Sequence, residues 1–181
     1  MSSKSDDSPM SQTLLTAKKF TVERREYVIP GVGVVHRELV VHPGAVLILP
    51  LLTPDKVVMI HNYRFSVGSE LLELPAGTLE PPEDPLDCAR RELEEETGYV
   101  GGRIEPLGRF YTSPGLTNEL MYAFLASELK ATAPRPEATE QIRVTTLPLA
   151  DALAATSDGR IVDGKTIAAL HLYHYRRSRM P

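Results

Sequence analysis

Gly77–Tyr99, GTLEPPEDPLDCARRELEEETGY, puts a turn, a marked helix start and a dense run of carboxylates into one short stretch. Asp84 suits a helix cap, Pro85 its first turn, and Asp87 the positive end of the helix dipole. Gly98 supplies a left-handed stop. Between them Leu86, Ala89, Leu93 and Thr97 recur at helical spacing and make a narrow stripe to bury. Glu92 and Glu96 stand four apart, one above the other beside that stripe, and Glu94 and Glu95 crowd the same turn. Four glutamates at the negative end of the dipole repel one another, so the helix needs positive compensation. A solvated acidic face is the ordinary use of such a run. A divalent cation is the more specific one: hard oxygen donors a helical turn apart suit Mg²⁺ or Mn²⁺.

Working outward, Ala45–Leu52 (AVLILPLL) is almost continuously apolar and predicts a strand buried on both faces. Thr53-Pro54-Asp55 turns the chain into a second such strand, Val57–Tyr63, with Arg64 at its mouth. A short strand over Leu71–Leu74 leads into the helix. Upstream, Lys19–Val28 and Val34–Val41 predict a hairpin turned at Pro30-Gly31. Downstream come β stretches from Gly101 to Tyr111 and Glu119 to Ala126, a Pro-, Ala- and Thr-rich loop over Ala131–Thr139, and a strand over Ile142–Leu147. Pro148 opens a short helix to Ala155, and Asp163 caps a last one reaching Arg177. The expected architecture is α/β, a mixed sheet packed by helices, divided into a disordered polar tail (1–16), an N-terminal β-hairpin (17–43) and one main domain (44–181).

With 181 residues, a net charge of −4 and ordinary apolar content, the chain has the composition of a soluble globular protein. It carries no basic stripe interleaved with aromatics, which argues against nucleic acid. No apolar run reaches membrane-spanning length, and the polar opening MSSKSDDSPMSQ is not expected to be a signal peptide or anchor. A single cysteine, Cys88, excludes an internal disulfide and fits the cytoplasm. Inside an acidic helix its thiolate is disfavoured, so it reads as packing. His36, His42 and His61 lack metal-ligand spacing, and His171 and His174, three apart on the last helix, lie near Arg176 and Arg177, which repel a cation; all five read as structural or surface residues, and the terminal RRSR reads as a solvated end.

Gly77, Glu83 and Arg91-Glu92-Leu93-x-Glu95-Glu96-x-Gly98 together resemble the Nudix box of the Nudix hydrolases, every fixed position being filled. The resemblance implies an α/β/α sandwich and Mg²⁺- or Mn²⁺-dependent hydrolysis of a nucleoside diphosphate linked to another group. It implies Glu92 and Glu96 as metal ligands, Glu95 as a further ligand or acceptor, the Ala76 carbonyl as a backbone ligand, and Arg91 with Glu83 as the pair that orients the helix.

Three further stretches resemble the ADP-ribose pyrophosphatase group: Tyr63-Arg64 followed by Glu70–Gly77 (ELLELPAG), Pro114 sixteen residues after Gly98, and Asp163-Gly164-Lys165-Thr166. The implied reaction takes ADP-ribose to AMP and ribose 5-phosphate; another nucleoside diphosphate sugar, or a non-catalytic nucleotide-binding module, are the alternatives. Arg64 is the candidate for a diphosphate oxygen, because a planar guanidinium binds two oxygens at once. Glu73, Glu119 and Pro114 are expected at the substrate cleft. In the resembled group a loop before the last strand supplies the catalytic base and a metal ligand. Glu140 matches that position, but Ala138 replaces the second glutamate, which leaves Glu140, Glu137 and Glu95 as candidate bases. The same resemblance implies a homodimer with exchanged N-terminal strands, bringing Arg37 and an aromatic such as Phe20 or Tyr27 to the partner's substrate.

Overall fold

A computed structural model describes residues 10–132 and 141–179. The strands are β1 (Ser11–Thr16), β2 (Thr21–Ile29), β3 (Gly33–Val41), β4 (Ala45–Thr53), β5 (Lys56–Arg64), β6 (Ser69–Glu73), β7 (Ala76–Thr78), β8 (Tyr99–Tyr111), β9 (Leu120–Ala131) and β10 (Ile142–Pro148). The helices are α1 (Pro85–Thr97), α2 (Leu149–Ser157) and α3 (Gly164–Arg177). Among the described residues no helix is long and apolar enough to cross a membrane.

β4 organises the molecule. Its side chains alternate between two cores, as strand geometry requires. Ala45, Leu47, Leu49 and Leu51 pack toward α2 and α3 with Met59, Leu74, Leu149 and Leu170. Val46 and Ile48 pack toward α1 with Cys88, Ala89, Leu93 and Phe124. Each fully buried aliphatic side chain contributes about 1.5–3 kcal/mol, so a strand buried on both faces anchors both helical layers at once. The apolar run read from sequence is thus the middle layer of an α/β/α sandwich.

The main sheet is mixed, in the order β10-β5-β4-β9-β8, with β4 and β9 parallel over Ala45–Pro50 and Met121–Ala126. β4 and β5 pair only near their connecting turn, at Leu51–Val57 and Thr53–Lys56. Beyond that point they part. β7 pairs with the start of β4, and β6 with the end of β5. The β6–β7 connection is therefore held between the two diverging strands, close to α1.

α1 forms as its caps dictate. Asp84 has extended backbone and its Oδ1 accepts the Leu86 N–H at 2.8 Å. Gly98, at φ 68°, donates its N–H to the Glu94 carbonyl at 2.9 Å. Cys88, Ala89, Leu93 and Thr97 are buried on the inner side.

The N-terminal region corrects one expectation. Ser11–Thr16, assigned from sequence to the disordered tail, form β1 and pair with β2 to complete a three-stranded antiparallel sheet, β1-β2-β3. All six residues of β1 are exposed, so no apolar alternation marks the strand, and its backbone ladder to β2 is what holds it. β7 was also not anticipated, because three residues carry no periodicity.

Candidate active site

The C-terminal half of α1 faces β7 across a cleft of about 800 Å³. Glu96 is almost fully buried and accepts the Ala76 N–H on Oε2 at 2.9 Å. Glu92 is buried beside it, lying over Gly77 where no side chain intrudes: a Cβ built on Gly77 would stand 1.8 Å from Glu92 Oε1. Glu95 is more open, with its side chain 37% exposed.

Arg91 supplies the positive compensation within the chain. Its Nε and Nη2 donate to Glu83 Oε1 and Oε2 at 2.9 and 3.0 Å, a two-pronged pair. Its Nη1 reaches both Glu92 Oε1 at 2.7 Å and Glu95 Oε2 at 3.1 Å. The guanidinium pulls the Glu83 carboxyl down to about 2. Arg91 also touches Cys88 Sγ at 3.3 Å, yet burial dominates there and pushes the thiol up to about 12.

A second charge cluster lies where β5, β6 and α3 meet. Glu73 is completely buried and receives Arg64 Nε and Nη2 at 2.8 and 2.6 Å. Lys165 Nζ joins it at 2.5 Å. Arg64 and Lys165 both line the cleft, and the arginine's pKa is raised chiefly by its hydrogen bonds to Glu73.

Of the residues singled out by sequence, the fold brings Ala76, Glu92, Glu95, Glu96, Arg64 and Glu119 to this one cleft. Glu73 does not reach it: instead of lining the surface it lies beneath, as the anion that two cleft cations share. Arg37 and Pro114 are absent from the lining of this chain's own cleft. Arg37 lies on β3, bonded to the neighbouring His36 carbonyl, and Pro114 sits in a turn closed by the Leu116 N–H on the Ser113 carbonyl. Glu137 and Glu140 lie outside the described residues. Of the histidines, His42 Nδ1 accepts the Gly44 N–H and lies 3.7 Å from Glu119 Oε1, and His61 pairs with Glu70.

The NUDIX domain family model matches residues 41–170, most of the chain and all of the cleft-bearing sheet. The chain belongs to the Nudix family. The box residues Gly77, Glu83, Arg91, Glu92 and Glu95 are joined to one another by direct contacts, with Glu96 beside them in the cleft. Similar proteins include the ADP-ribose pyrophosphatase of Bacillus subtilis, 39% identical over 136 residues, which are 74% of each chain. The ADP-ribose pyrophosphatase of Mycobacterium tuberculosis is 36% identical over 168 residues, 91% of this chain and 81% of that one. The GDP-mannose pyrophosphatase of Yersinia pestis is 40% identical over 136 residues, 70% of this chain and 68% of that one. A crystal structure of an ADP compounds hydrolase superposes with a TM-score of 0.82 at 24% identity, covering 97% of both chains, a likeness of fold.

Nudix chemistry calls for a divalent cation, and the donors present fit one. They are hard oxygens throughout, Ala76 shares the cleft lining with them, and Gly77 leaves the space that Glu92 occupies. Among the described residues no three His, Cys, Asp or Glu side chains converge on a single point, and Arg91 Nη1 bonds both Glu92 and Glu95. Sequence reasoning gave no role to Lys165, Phe110 or Tyr111, all of which line this Nudix cleft. The Asp163-Gly164-Lys165-Thr166 motif was the available signal for the lysine; the aromatic pair sits at the end of β8 with none.

Proposed function

We propose that this Nudix protein hydrolyses the diphosphate bond of ADP-ribose, giving AMP and ribose 5-phosphate. The observation that carries the reading is the cleft in which Glu92, Glu95, Glu96 and Ala76 share a lining with Arg64. Relatives named as ADP-ribose pyrophosphatases, at 36–39% identity, support the substrate. The GDP-mannose pyrophosphatase relative supports a second reading, the same hydrolysis of another nucleoside diphosphate sugar.

In this mechanism Glu92, Glu96, Glu95 and the Ala76 carbonyl would hold Mg²⁺ or Mn²⁺, with Glu140 as a further ligand. When bound there, the cation neutralises the diphosphate and makes water more acidic. Arg64 takes a diphosphate oxygen and so fixes the phosphorus for in-line attack. A carboxylate accepts the water proton: Glu140 is the first candidate, followed by Glu137 and Glu95. Oxygen from water bonds to phosphorus, the bridging P–O bond breaks, and the bridging oxygen departs with the other phosphate. Glu83 orients Arg91, which in turn aligns α1. Glu119 and the Pro114 loop select the group attached to the diphosphate.

A homodimer formed through the N-terminal sheet is supported by its exposed apolar side chains, among them Leu15, Tyr27, Val28 and Val34. In that dimer Arg37 and an aromatic, Phe20 or Tyr27, serve the partner's cleft. The lone buried thiol of Cys88 suits a cytoplasmic protein.

The test is a phosphatase-coupled phosphate-release assay with Mg²⁺ on ADP-ribose, GDP-mannose, other nucleoside diphosphate sugars and NADH. A kcat/KM preference for ADP-ribose of about tenfold supports the first reading. A hexose nucleotide in front supports the second. No turnover of any substrate by metal-loaded protein overturns both in favour of a nucleotide-binding module.

A further inference from the structure

We propose that Thr112 is a positioning residue: it locks the Glu119 carboxylate with one oxygen left for the hydroxyls of the sugar attached to the diphosphate. This rests on the reading in which Glu119 and the Pro114 loop select that group, and it names what holds the selector in place.

The loop between β8 and β9 is strapped to the end of β3. The Val40 N–H donates to the Leu116 carbonyl at 2.9 Å, and the Asn118 N–H to the Val40 carbonyl at 3.3 Å. The His42 N–H donates to Asn118 Oδ1 at 2.7 Å. Within the loop the Leu116 and Thr117 N–H groups both reach the Ser113 carbonyl at 2.9 Å, and the Glu119 N–H reaches Thr117 Oγ1 at 3.1 Å. A backbone held from both sides leaves the Glu119 side chain as the part still to be ordered.

Thr112 orders it. Tyr111 pairs with Leu120 at the end of the β8–β9 ladder, so Thr112 and Glu119 face each other one step beyond. There the Thr112 N–H donates to the Glu119 carbonyl at 3.3 Å, and the Thr112 hydroxyl donates to Glu119 Oε2. One residue thus grips both the main chain and the side chain of the other, and a hydroxyl on a carboxylate makes a strong, charge-assisted bond. Both residues line the cleft. Fixing the carboxylate before a ligand arrives removes an ordering cost from binding.

Oε1 is the oxygen that remains. Among the described residues the basic group within 4 Å of it is His42 Nδ1, at 3.7 Å. That nitrogen accepts the Gly44 N–H at 3.1 Å, so it has a lone pair there and no proton for Glu119. No lysine or arginine among the described residues pairs with Glu119. The side chain is only 25% exposed, and a half-buried carboxylate oxygen without a donor is satisfied by donors on a ligand. Neutral hydroxyls supply them, whereas phosphate oxygens are acceptors and are repelled. The cleft therefore holds a hydroxyl-seeking group, Glu119, together with a phosphate-seeking one, Arg64, and the two orient an unsymmetrical substrate.

The experiment is a double-mutant cycle on the full chain: wild type, Thr112→Val, Glu119→Ala and both together, with Thr112→Ser as the rescue. Valine keeps the size and the backbone N–H and removes the hydroxyl; Thr112→Ala replaces it should valine disturb the turn. Calorimetry with Mg²⁺ measures binding of α,β-methylene ADP-ribose and of α,β-methylene ADP, which lacks the second sugar. Steady-state kinetics on ADP-ribose run alongside. Thr112→Val should weaken the first ligand about tenfold, as a misplaced contact does, and the second by less than about twofold. KM for ADP-ribose should rise in parallel while kcat stays within about twofold, because the contact is made equally before and during reaction. Thr112→Ser should restore both values. Adding Thr112→Val to Glu119→Ala should cost almost nothing further, since the threonine acts through the glutamate. A merely structural threonine would weaken both ligands alike or lower the melting temperature alone, and either result overturns the proposal, as does additivity in the cycle. Normal turnover of ADP-ribose with a silent Thr112→Val leaves the hydrolase reading standing and sinks this one. If wild type cleaves GDP-mannose in place of ADP-ribose, the substrate reading fails, and the same cycle on GDP-mannose should show the same pattern. Wild type that takes no nucleoside diphosphate sugar overturns both.

Discussion

Glu92 lies directly over the α-carbon of Gly77, so close that a Cβ there would stand 1.8 Å from its Oε1 and 1.9 Å from its Cδ. No rotamer adjustment of a few tenths of an ångström relieves such an overlap. Glycine at the first residue of the box leaves the space in which the Glu92 carboxylate rests against the β7 backbone. The first residue of the motif and its glutamate at position 92 are therefore one physical contact.

Gly77→Ala should displace Glu92 or push β7 away from α1. Misplacement by about an ångström in such a site costs on the order of 100-fold in rate. We expect a loss of that size in kcat/KM, with weakened Mn²⁺ binding by electron paramagnetic resonance. Normal values of both would show that Glu92 is not needed in this position.

Glu96→Gln separates charge from hydrogen bonding. The amide oxygen can still accept the Ala76 N–H, so the bond at 2.9 Å survives while the negative charge goes. Relief of repulsion among the α1 glutamates should leave the melting temperature equal or higher. Turnover should fall by roughly 100- to 1,000-fold, as when an electrostatic contact to the reacting centre is removed. Glu92→Gln should behave alike in turnover. Wild-type turnover in either variant would remove that residue from the ligand set.

Acid stability should report the Arg91–Glu83 pair. The Glu83 carboxyl is depressed from 4.5 to about 2 in the folded chain, so the unfolded chain takes up its proton first as pH falls. The pair's contribution is complete above about 4.5 and is lost as pH drops toward about 2. Glu83→Gln should cost on the order of 1 kcal/mol at neutral pH, after allowance for solvent screening, and should flatten this acid limb. Denaturant melts across that range would check it; an unaltered limb would mean that the pair contributes nothing.

Cys88 should be chemically silent. Burial and neighbouring Glu83 hold the thiol at about 12, and its Sγ sits against the Thr78 carbonyl and Arg91. At pH 8 a thiol reagent should react with the native protein only on unfolding. Cys88→Ser should change kcat/KM by less than about twofold while costing on the order of 1 kcal/mol of stability. Rapid labelling of the native protein would contradict this account.

Much of the site was legible because its signals are local. The cap at Asp84, the stop at Gly98 and the four-residue spacing of Glu92 and Glu96 act within a few turns of one helix, and the structure has α1 as those residues dictate. The apolar run at Ala45–Leu52 likewise made β4 recognisable, since alternation into two cores requires apolar side chains on both faces. The remainder depended on which distant segments meet. β1 has no buried side chain to mark it, so only its pairing with β2 makes it a strand. Glu73 looked like a strand-end glutamate suited to a cleft wall, yet closure of the sheet buries it completely. Lys165 looked like part of a helix opening, and it became a cleft cation only because folding brings it to a carboxylate 92 residues away in the chain. Periodicity and capping are set by neighbours along the backbone. The ionic partners of a side chain are set by neighbours in space, and those only the tertiary structure decided.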